Sequence, residues 1–427
     1  MTNPARLPVR VRPWLHRCAL AAFALLVAGG GGWAPRPAQA QAAERAAAMG
    51  QPLPEPAAAP WARAMQRDLA RFARQERIRF GAYVLDLDTG QRMSFQGDER
   101  WYLASSVKVP VAITVLRGVE RGDFTLDTPV TLRAGDYVDG AGPTNAQPVG
   151  AALTVRWLLE QMIVYSDNTA SDMLIGLVGI AEVNAVTQAL VPQGFGRITT
   201  LADVRRQAYG HLAPEAEHLS GRDFLLLKQQ RTEADVKATL ARLLHLPPTR
   251  LLPLSLNDAY EAYYAEGLNS GRLDAYAALL VQLVEGRALN AQHTAYLLGV
   301  MERVKTGPRR IKAGLPAGAR FAHKTGTQRA RTCDSGLVTV PGVTRERRVI
   351  VVACTRGEPS TARSDRALRH VGAALCTSGL LSEGSSHASI CQSAASAQAT
   401  DPVAPAVVGR PGGAGDGMDG DLRHDEP

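Results

Sequence analysis

Lysine is scarce in this sequence of 427 residues. Six of its 48 basic residues are lysines, and the other 42 are arginines. Where the chain needs only a positive charge, it therefore uses arginine. A lysine can lose its proton when burial or a neighbouring cation lowers its pKa, whereas an arginine in a protein stays charged. The few lysines are consequently the first places to search for acid–base chemistry.

A hydrophobic run long enough to span a bilayer is also lacking near the N-terminus. The apolar stretch Cys18–Val27 has about ten residues and is followed by four glycines, whereas a membrane helix needs about 20. Four arginines precede this stretch, and Ala38-Gln39-Ala40 follows it. This order is typical of a secretory signal peptide. We expect cleavage after Ala40 and a periplasmic or secreted protein without a membrane span.

The excess of positive charge is small outside this N-terminal segment. The chain carries a formal net charge of +8, but residues 1–40 contain five arginines and no acidic residue, which leaves +3 for the rest. No basic stripe with interleaved aromatic residues is present. The composition therefore predicts no nucleic-acid partner.

Four of the five cysteines lie beyond residue 40, at positions 333, 354, 376 and 391. An even number in an oxidising compartment favours disulfides, and four cysteines allow three pairings. If Ser335–Val340 and Arg348–Thr355 form a hairpin, Cys333 and Cys354 become neighbours, so we predict a bond between them. The alternatives are pairing of either residue with Cys376 or Cys391, and two free thiols.

The order of local patterns predicts a fold of the α/β (α+β) class. Strand patterns occur at both ends of the chain and helical patterns between them, which predicts an antiparallel sheet lobe built from both chain ends and an all-helical lobe. Residues 41–60 are predicted to be a linker, 61–378 the folded domain, and 379–427 a disordered tail. The predicted elements are the helix Trp61–Ile78, the strands Phe80–Leu87 and Arg92–Phe95, helices from Ser105 to about Val304, the strands Ala319–Thr327, Ser335–Val340 and Arg348–Thr355, and the helix Thr361–Leu375.

Two of the six lysines lie in short motifs that fit acyl transfer. Ser105-Ser106-Val107-Lys108 follows the predicted loop Trp101–Ala104, so a helix starting at Ser105 would place Ser105 and Lys108 on one face. A nucleophile beside a base is what acyl transfer requires. An isolated motif of this kind is more often a helix N-cap followed by a solvent-facing lysine.

Lys-Thr-Gly occurs twice. Lys305-Thr306-Gly307 ends a helical pattern and precedes Pro308, so Gly307 is interpreted as a helix C-cap. Lys324-Thr325-Gly326 lies in a β-rich run that ends at Thr327, where a sheet edge could hold a substrate as an added strand. The second copy is therefore the candidate site. Between the two lysine motifs lies Ser166-Asp167-Asn168, where Ser166 or Asp167 also fits a helix N-cap.

Together and in this order, the three motifs resemble the active-site set of class A β-lactamases and their penicillin-binding relatives. The resemblance covers roughly residues 60 to 378 and implies a cleft between two lobes. It assigns Ser105 as the nucleophile, Lys108 as the acceptor of its proton, and Ser166 as the donor of a proton to the departing nitrogen. Asn168, Lys324, Thr325, Gly326 and Thr327 then bind the substrate, and the amides of Ser105 and Thr327 form the oxyanion hole. Asp167 is expected to be structural.

The resemblance fails between these motifs. Class A enzymes have an omega loop there, with a glutamate and an asparagine that hold the deacylating water, and no such motif can be placed. Residues 204 to about 264 instead look like an insertion or a rebuilt loop. The candidates for the base are Glu215, Glu217 and Glu266, each of which also fits a solvated surface acid.

These observations predict a serine β-lactamase that needs no metal or cofactor. The expected partner is a small β-lactam or cell-wall peptide substrate, and the expected state is a monomer. A D,D-peptidase or other acyl-serine hydrolase acting on cell-wall peptides is the nearest alternative. A non-catalytic penicillin-binding sensor module is the third, although such a module would not need all three motifs.

Overall fold

The computed structural model describes residues 59–341, 346–381 and 391. The predicted signal peptide, nearly all of the predicted linker and nearly all of the predicted tail lie outside these residues. Within them, strand and helix patterns follow the predicted order, and the differences lie mainly at the element ends.

Five antiparallel strands form the main sheet, in the order β2-β1-β9-β8-β7. They are β1 (Arg79–Asp86), β2 (Arg92–Phe95), β7 (Arg320–Gln328), β8 (Arg331–Val340) and β9 (Arg347–Arg356). The prediction of an antiparallel sheet built from both chain ends is thereby confirmed. Strand β8 begins at Arg331, not at Ser335 as predicted. The sequence pattern missed its first residues because they are mostly polar, although the structure buries them.

Alternate residues of the sheet pack into two different cores. In β9, Ile350 and Val352 face the helical block, whereas Val349 and Val351 face the opposite side. Helices α1 (Pro60–Glu76) and α13 (Thr361–Thr377) cover that opposite side. The two-residue period of a strand therefore divides its side chains between the two layers.

The middle of the chain is mostly helical, but it also contains two short ladders. Strand β3 (Arg100–Tyr102) pairs with β6 (Ser270–Arg272), and β4 (Pro129–Thr131) pairs with β5 (Ala152–Thr154). The expectation of an all-helical lobe is therefore wrong for these four short segments. Their backbone N–H and C=O groups are paired between strands rather than within a helix. The helices are α2 (Lys108–Arg121), α3 (Val155–Val164), α4 (Asn168–Val178), α5 (Ile180–Leu190), α6 (Leu201–Gly210), α7 (Gly221–Lys228), α8 (Glu233–Leu243), α9 (Leu256–Ala265), α10 (Leu273–Val284), α11 (Ala291–Glu302) and α12 (Ile311–Gly314).

Helix α11 ends earlier than its sequence pattern indicated. Its last residue is Glu302 and its C-cap is Arg303, so the interpretation of Gly307 as the cap is wrong. Gly307 instead has a positive φ of 61° in the turn that follows, next to Arg310 and Thr325. A glycine is required there because a Cβ would crowd both neighbours.

In the part of the chain that the structure describes, no single helix is long and apolar enough to cross a membrane. Among the described helices, the pair α4 and α5 alone meets that length and composition, and the two helices are bent by 86° where they join.

Both disulfides join cysteines within the described residues. Cys333 and Cys354 lie directly opposite each other in β8 and β9, and they are bonded as predicted, with 4.0 Å between their Cα atoms. Cys376 is bonded to Cys391. The alternatives in which either of these two replaces Cys333 or Cys354 are therefore wrong.

Candidate active site

Ser105 lies in a 3₁₀ turn, not at the first residue of an α-helix. The turn spans Ala104–Val107 and connects β3 to α2. The predicted loop Trp101–Ala104 is thus partly strand, because β3 pairs with β6. Ala104 has a left-handed φ of 48°, which a residue with a Cβ adopts only where its surroundings enforce it. Ser105 is the one residue of this turn that is not buried.

Strand β7 passes directly beside this turn. A Cβ on Gly326 would lie 3.1 Å from Oγ of Ser106 and 3.2 Å from Cβ of Ala104. The Ser106 N–H in turn donates to the carbonyl of Leu103, 3.0 Å away. Glycine at position 326 therefore lets the strand carrying Lys324 approach the residues on either side of Ser105.

Lys108, the first residue of α2, is completely buried. Its Nζ donates to the backbone carbonyl of Ser166, to Oγ of Ser166 (3.3 Å) and to Oδ1 of Asn168 (2.7 Å). These three acceptors are uncharged oxygens. Residues of the Ser-Asp-Asn motif thus hold the side chain of Lys108. Lys108 itself lies at the start of the helix that follows Ser105.

The hydroxyl of Ser166 lies between two lysines. Its Oγ accepts hydrogen bonds from Lys108 and from Lys324, whose Nζ is 2.9 Å away. Ser166 itself has a positive φ of 62°, so its backbone is strained at the point where the two lysines meet. Because its oxygen accepts both bonds, the hydroxyl proton is available to a third group.

The neighbours of Ser166 have separate tasks. Asp167 is the N-cap of α4, since its carboxylate accepts from the N–H of Ala170 (2.9 Å) and also from that of Thr144 (2.9 Å). Asn168 uses Oδ1 for Lys108 and donates from Nδ2 to the carbonyl of Asp139, 2.6 Å away. Asp167 therefore has the structural contacts expected of it, and both ends of the Asn168 amide are engaged.

The second Lys-Thr-Gly copy lies in β7, an edge strand of the main sheet. Lys324 is completely buried and also donates to the carbonyl of Thr325 (2.9 Å). Thr325 and Thr327 continue the strand past the turn Ala104–Val107. An edge strand leaves backbone groups for an added extended segment.

The first copy was only partly interpreted correctly. Lys305 is exposed, but Oγ1 of Thr306 lies 2.5 Å from Oγ1 of Thr325. The segment that sequence reasoning set aside therefore contributes Thr306 to the surroundings of the second copy. Its threonine had no local pattern that distinguished it from a residue after a helix end.

Arg310 was missed altogether. This buried arginine donates to the carbonyl of Gly326 (3.3 Å) and to Oγ1 of Thr327 (2.8 Å), and it pairs with Asp365 (2.9 Å). These bonds hold Gly326 and Thr327 of β7 in place. The chain has 42 arginines, and nothing in the local sequence around Arg310 distinguishes it from the others.

Residues 204–264, called the rebuilt segment below, fold mainly into the helices α6 to α9. The segment reaches the turn between β7 and β8, where Tyr264 donates to the carbonyl of Arg329 (2.9 Å) and Glu261 pairs with Arg331 (2.6 Å). It therefore lies beside the strand that carries Lys324.

The three candidate bases do not contact the lysines in any described interaction. Glu217 pairs with His218 (3.4 Å) and Glu266 with His211 (2.8 Å), and all four side chains are at least 30 % exposed. Glu215 lies in the 3₁₀ turn Pro214–His218. The contacts of Glu217 and Glu266 are those of surface acids.

A different carboxyl group holds the start of α6, just before the rebuilt segment. Asp172 accepts from the N–H groups of Leu201 (2.7 Å) and Ala202 (2.8 Å), the first residues of α6. Burial raises the pKa of this carboxyl to about 7, although both N–H groups and the charge of Lys108 lower it. Within the described residues, no group of three or more His, Cys, Asp or Glu side chains is arranged to hold a metal ion.

Residues 64–378 match the β-lactamase enzyme family. Over 112 residues the chain is 39 % identical to β-lactamase L2 of Stenotrophomonas maltophilia, a stretch that covers 26 % of this chain and 37 % of that relative. The chain therefore spans little more than a third of the length of this relative.

Solved structures resemble a larger part of the chain. A β-lactamase from Sphaerobacter thermophilus has a TM-score of 0.55 and 25 % identity, over 75 % of this chain and 98 % of its own. A mutant of PBP-A, solved as an acyl-enzyme complex with penicillin G, has a TM-score of 0.55 and 22 % identity, over 73 % of this chain and 94 % of its own. The second likeness is one of fold.

Proposed function

Because the chain belongs to the β-lactamase enzyme family, we propose that it is a serine β-lactamase of the class A type, which opens the β-lactam ring through an acyl-enzyme on Ser105. At the coarser level the chain is a serine hydrolase of the β-lactamase or penicillin-binding type.

One observation carries the proposal: the Ser166 hydroxyl accepts hydrogen bonds from both Lys108 and Lys324. Two completely buried lysine side chains converge on one oxygen, beside the turn that presents Ser105. Burial and a second nearby cation both favour the neutral form of a lysine. A purely structural role would need only one buried lysine. The presence of two therefore favours a role in proton transfer.

Acylation then proceeds through three proton transfers. Lys108, in its neutral form, accepts the proton of the Ser105 hydroxyl as Oγ forms a bond to the β-lactam carbonyl carbon, and the carbonyl oxygen becomes an oxyanion. The amides of Ser105 and Thr327 stabilise this oxyanion. When the carbon–nitrogen bond breaks, Ser166 delivers its proton to the departing nitrogen, and Lys108 returns the first proton through Ser166.

Substrate binding is assigned to the remaining residues of the motifs. Lys324 and Thr325 attract the substrate carboxylate, and the edge strand through Gly326 and Thr327 aligns the acylamide backbone. Asn168 also contributes, although its Nδ2 already donates to Asp139, so a substrate amide must share or displace that bond.

Deacylation is the step that separates the proposal from its nearest alternative. Rapid turnover needs a base directed at a water molecule, yet Glu217 and Glu266 are engaged with surface histidines. This observation favours, as a second candidate, a D,D-peptidase-like or slow enzyme that acylates Ser105 and releases the product poorly.

Nitrocefin hydrolysis by the purified protein, residues 41–427, tests the proposal. We expect turnover in the wild type, none in Ser105→Ala, and near-wild-type turnover in Ser106→Ala. Ser106 is the matched control because its buried hydroxyl has no hydrogen-bond partner among the described residues. Absence of hydrolysis by folded wild-type protein would defeat the lactamase assignment.

A time course with one penicillin distinguishes the two candidates. A stoichiometric burst followed by steady release supports a lactamase. A stable adduct on Ser105 with negligible release supports the peptidase-like candidate. Failure of Ser105 to acylate at all would contradict both.

We also propose export to the periplasm or the medium, and through it a role in antibiotic resistance. The residues that support export are the arginines, the apolar stretch and the small residues before Gln41. N-terminal sequencing of protein recovered from the periplasm should begin at Gln41, and recovery of uncleaved protein from the cytoplasm alone would contradict export.

A further inference from the structure

The rebuilt segment places one charged side chain against the network around Lys108. In α6, the Arg205 guanidinium donates to the Asp139 carboxylate through two bonds, Nε to Oδ1 at 2.6 Å and Nη2 to Oδ2 at 3.1 Å. The side chains are 11 % and 13 % exposed. A two-pronged bond of this kind restricts both distance and orientation.

The same Asp139 holds Asn168 through its backbone. Its carbonyl accepts from Nδ2 of Asn168 at 2.6 Å. The next residue, Gly140, lies against the same amide, since a Cβ there would be 3.0 Å from Cγ of Asn168. With Nδ2 directed at Asp139, the other end of the amide, Oδ1, is directed at Lys108, 2.7 Å away.

We propose that Arg205 is a positioning residue for Lys108 and acts through Asp139 and Asn168. The glycines at 140 and 142 both have positive φ angles, so the turn that carries the Asp139 carbonyl has few side chains to restrain it. The ion pair with Arg205 supplies that restraint from a different part of the chain. Without it, the Asn168 amide can tilt, and Lys108 loses one of the acceptors that orient it, Oδ1 of Asn168. This inference deepens the proposed function, and its catalytic consequence rests on that function.

Arg206 provides a matched control on the same helix. It donates to Asp203 (2.9 Å) and to the carbonyl of Leu219 (3.0 Å), both within or next to the rebuilt segment. A change at Arg206 therefore disturbs the segment without touching Asp139. If Arg205 merely stabilised the segment, changes at the two arginines would have similar effects.

The first experiment needs no substrate. In protein labelled with ¹³C-lysine, six lysines give six side-chain signals, and loss of one in Lys108→Arg assigns Lys108. We expect Arg205→Lys and Arg205→Gln to move the Lys108 signal and its titration midpoint, and Arg206→Lys to leave both unchanged. Asp139→Asn, which keeps the carbonyl but loses the ion pair, should act like Arg205→Gln and serves if that variant does not fold. An unchanged Lys108 signal in folded Arg205 variants would overturn the inference.

The second experiment measures acylation by a fluorescent penicillin. Arg205→Lys should slow acylation roughly 10- to 100-fold, because small displacements of reacting groups cost this much. In an Asn168→Ala background, the same change should have less than about a twofold further effect, since the pathway runs through Asn168. Independent, multiplicative losses would overturn the inference. If the wild type does not acylate, the proposed function fails, while the lysine signals still decide whether Arg205 positions Lys108.

Discussion

Arg310 and Asp365 form an ion pair that is almost completely buried, with 2.9 Å between Nε and Oδ1. Asp365 belongs to α13, the last long helix, and Arg310 also donates to Thr327 in β7. The pair therefore connects the closing helix to the strand that carries Lys324. It restrains the side of the site that is farthest in sequence from Ser105.

Removing one partner of this pair should destabilise the fold strongly. Arg310→Gln leaves the Asp365 carboxylate buried without its cation, which costs about 3 kcal/mol or more. Urea unfolding measures the loss. Arg309→Gln, at the exposed neighbouring position, should change the free energy of unfolding by no more than about 0.5 kcal/mol. Equal stability of the two variants would contradict the structural role of the pair.

Ser166→Ala should slow acylation by about 10² to 10⁴-fold, the usual contribution of a positioned proton donor. It removes the oxygen that Lys108 and Lys324 share and keeps both lysines. Ser171→Ala is the control, because its buried hydroxyl donates only to the Asp167 carbonyl in the described contacts. Stopped-flow acylation kinetics on both variants decide the matter, and comparable rates would remove Ser166 from the mechanism.

Gly326→Ala should reduce both acylation and stability. The added Cβ would press β7 against Ala104 and Ser106, and overpacking of this kind costs about 1 to 3 kcal/mol. Gly299→Ala, on an exposed face of α11 with no atom within 4 Å of the new Cβ, should instead stabilise by about 0.4 to 1 kcal/mol. Thermal unfolding of the pair is the measurement. A neutral Gly326→Ala would show that the close approach is not needed.

The disulfide between Cys333 and Cys354 should contribute about 3 kcal/mol, the magnitude expected for a loop of this size. Replacing both cysteines by alanine should lower the midpoint of denaturant unfolding accordingly. Peptide mapping without reduction should recover Cys333 linked to Cys354 and Cys376 linked to Cys391. Any other linkage would contradict the pairing.

Asp172 should make the protein less stable as the pH rises from about 4 to 7. Its pKa is about 7 in the folded protein, above the ordinary value of 3.8, so the native state binds more protons than the unfolded state in this range. Asp172→Asn removes this titration. The free energy of unfolding of the variant, relative to the wild type, should therefore increase between pH 5 and pH 8. A constant or decreasing difference would contradict the raised pKa.

Local patterns in the sequence determined a large part of this protein. The periods of apolar residues predicted the sheet from both chain ends, because strand and helix periods are properties of short segments. The register of one predicted hairpin was enough to pair Cys333 with Cys354. Lys108 and Lys324 were distinctive in a chain that otherwise uses arginine, and the motifs at Ser105, Ser166 and Lys324 were distinctive because they occur together and in this order.

Only the tertiary structure decided which groups meet at the site. The hydroxyl of Ser166 lies between lysines 58 and 158 residues away in sequence, and such contacts depend on how whole elements pack rather than on any local period. For the same reason, Thr306, Arg310 and Arg205 could not be singled out. An arginine on a helix has the same local pattern whether it faces solvent or a buried carboxylate, and burial is determined only when distant segments come together.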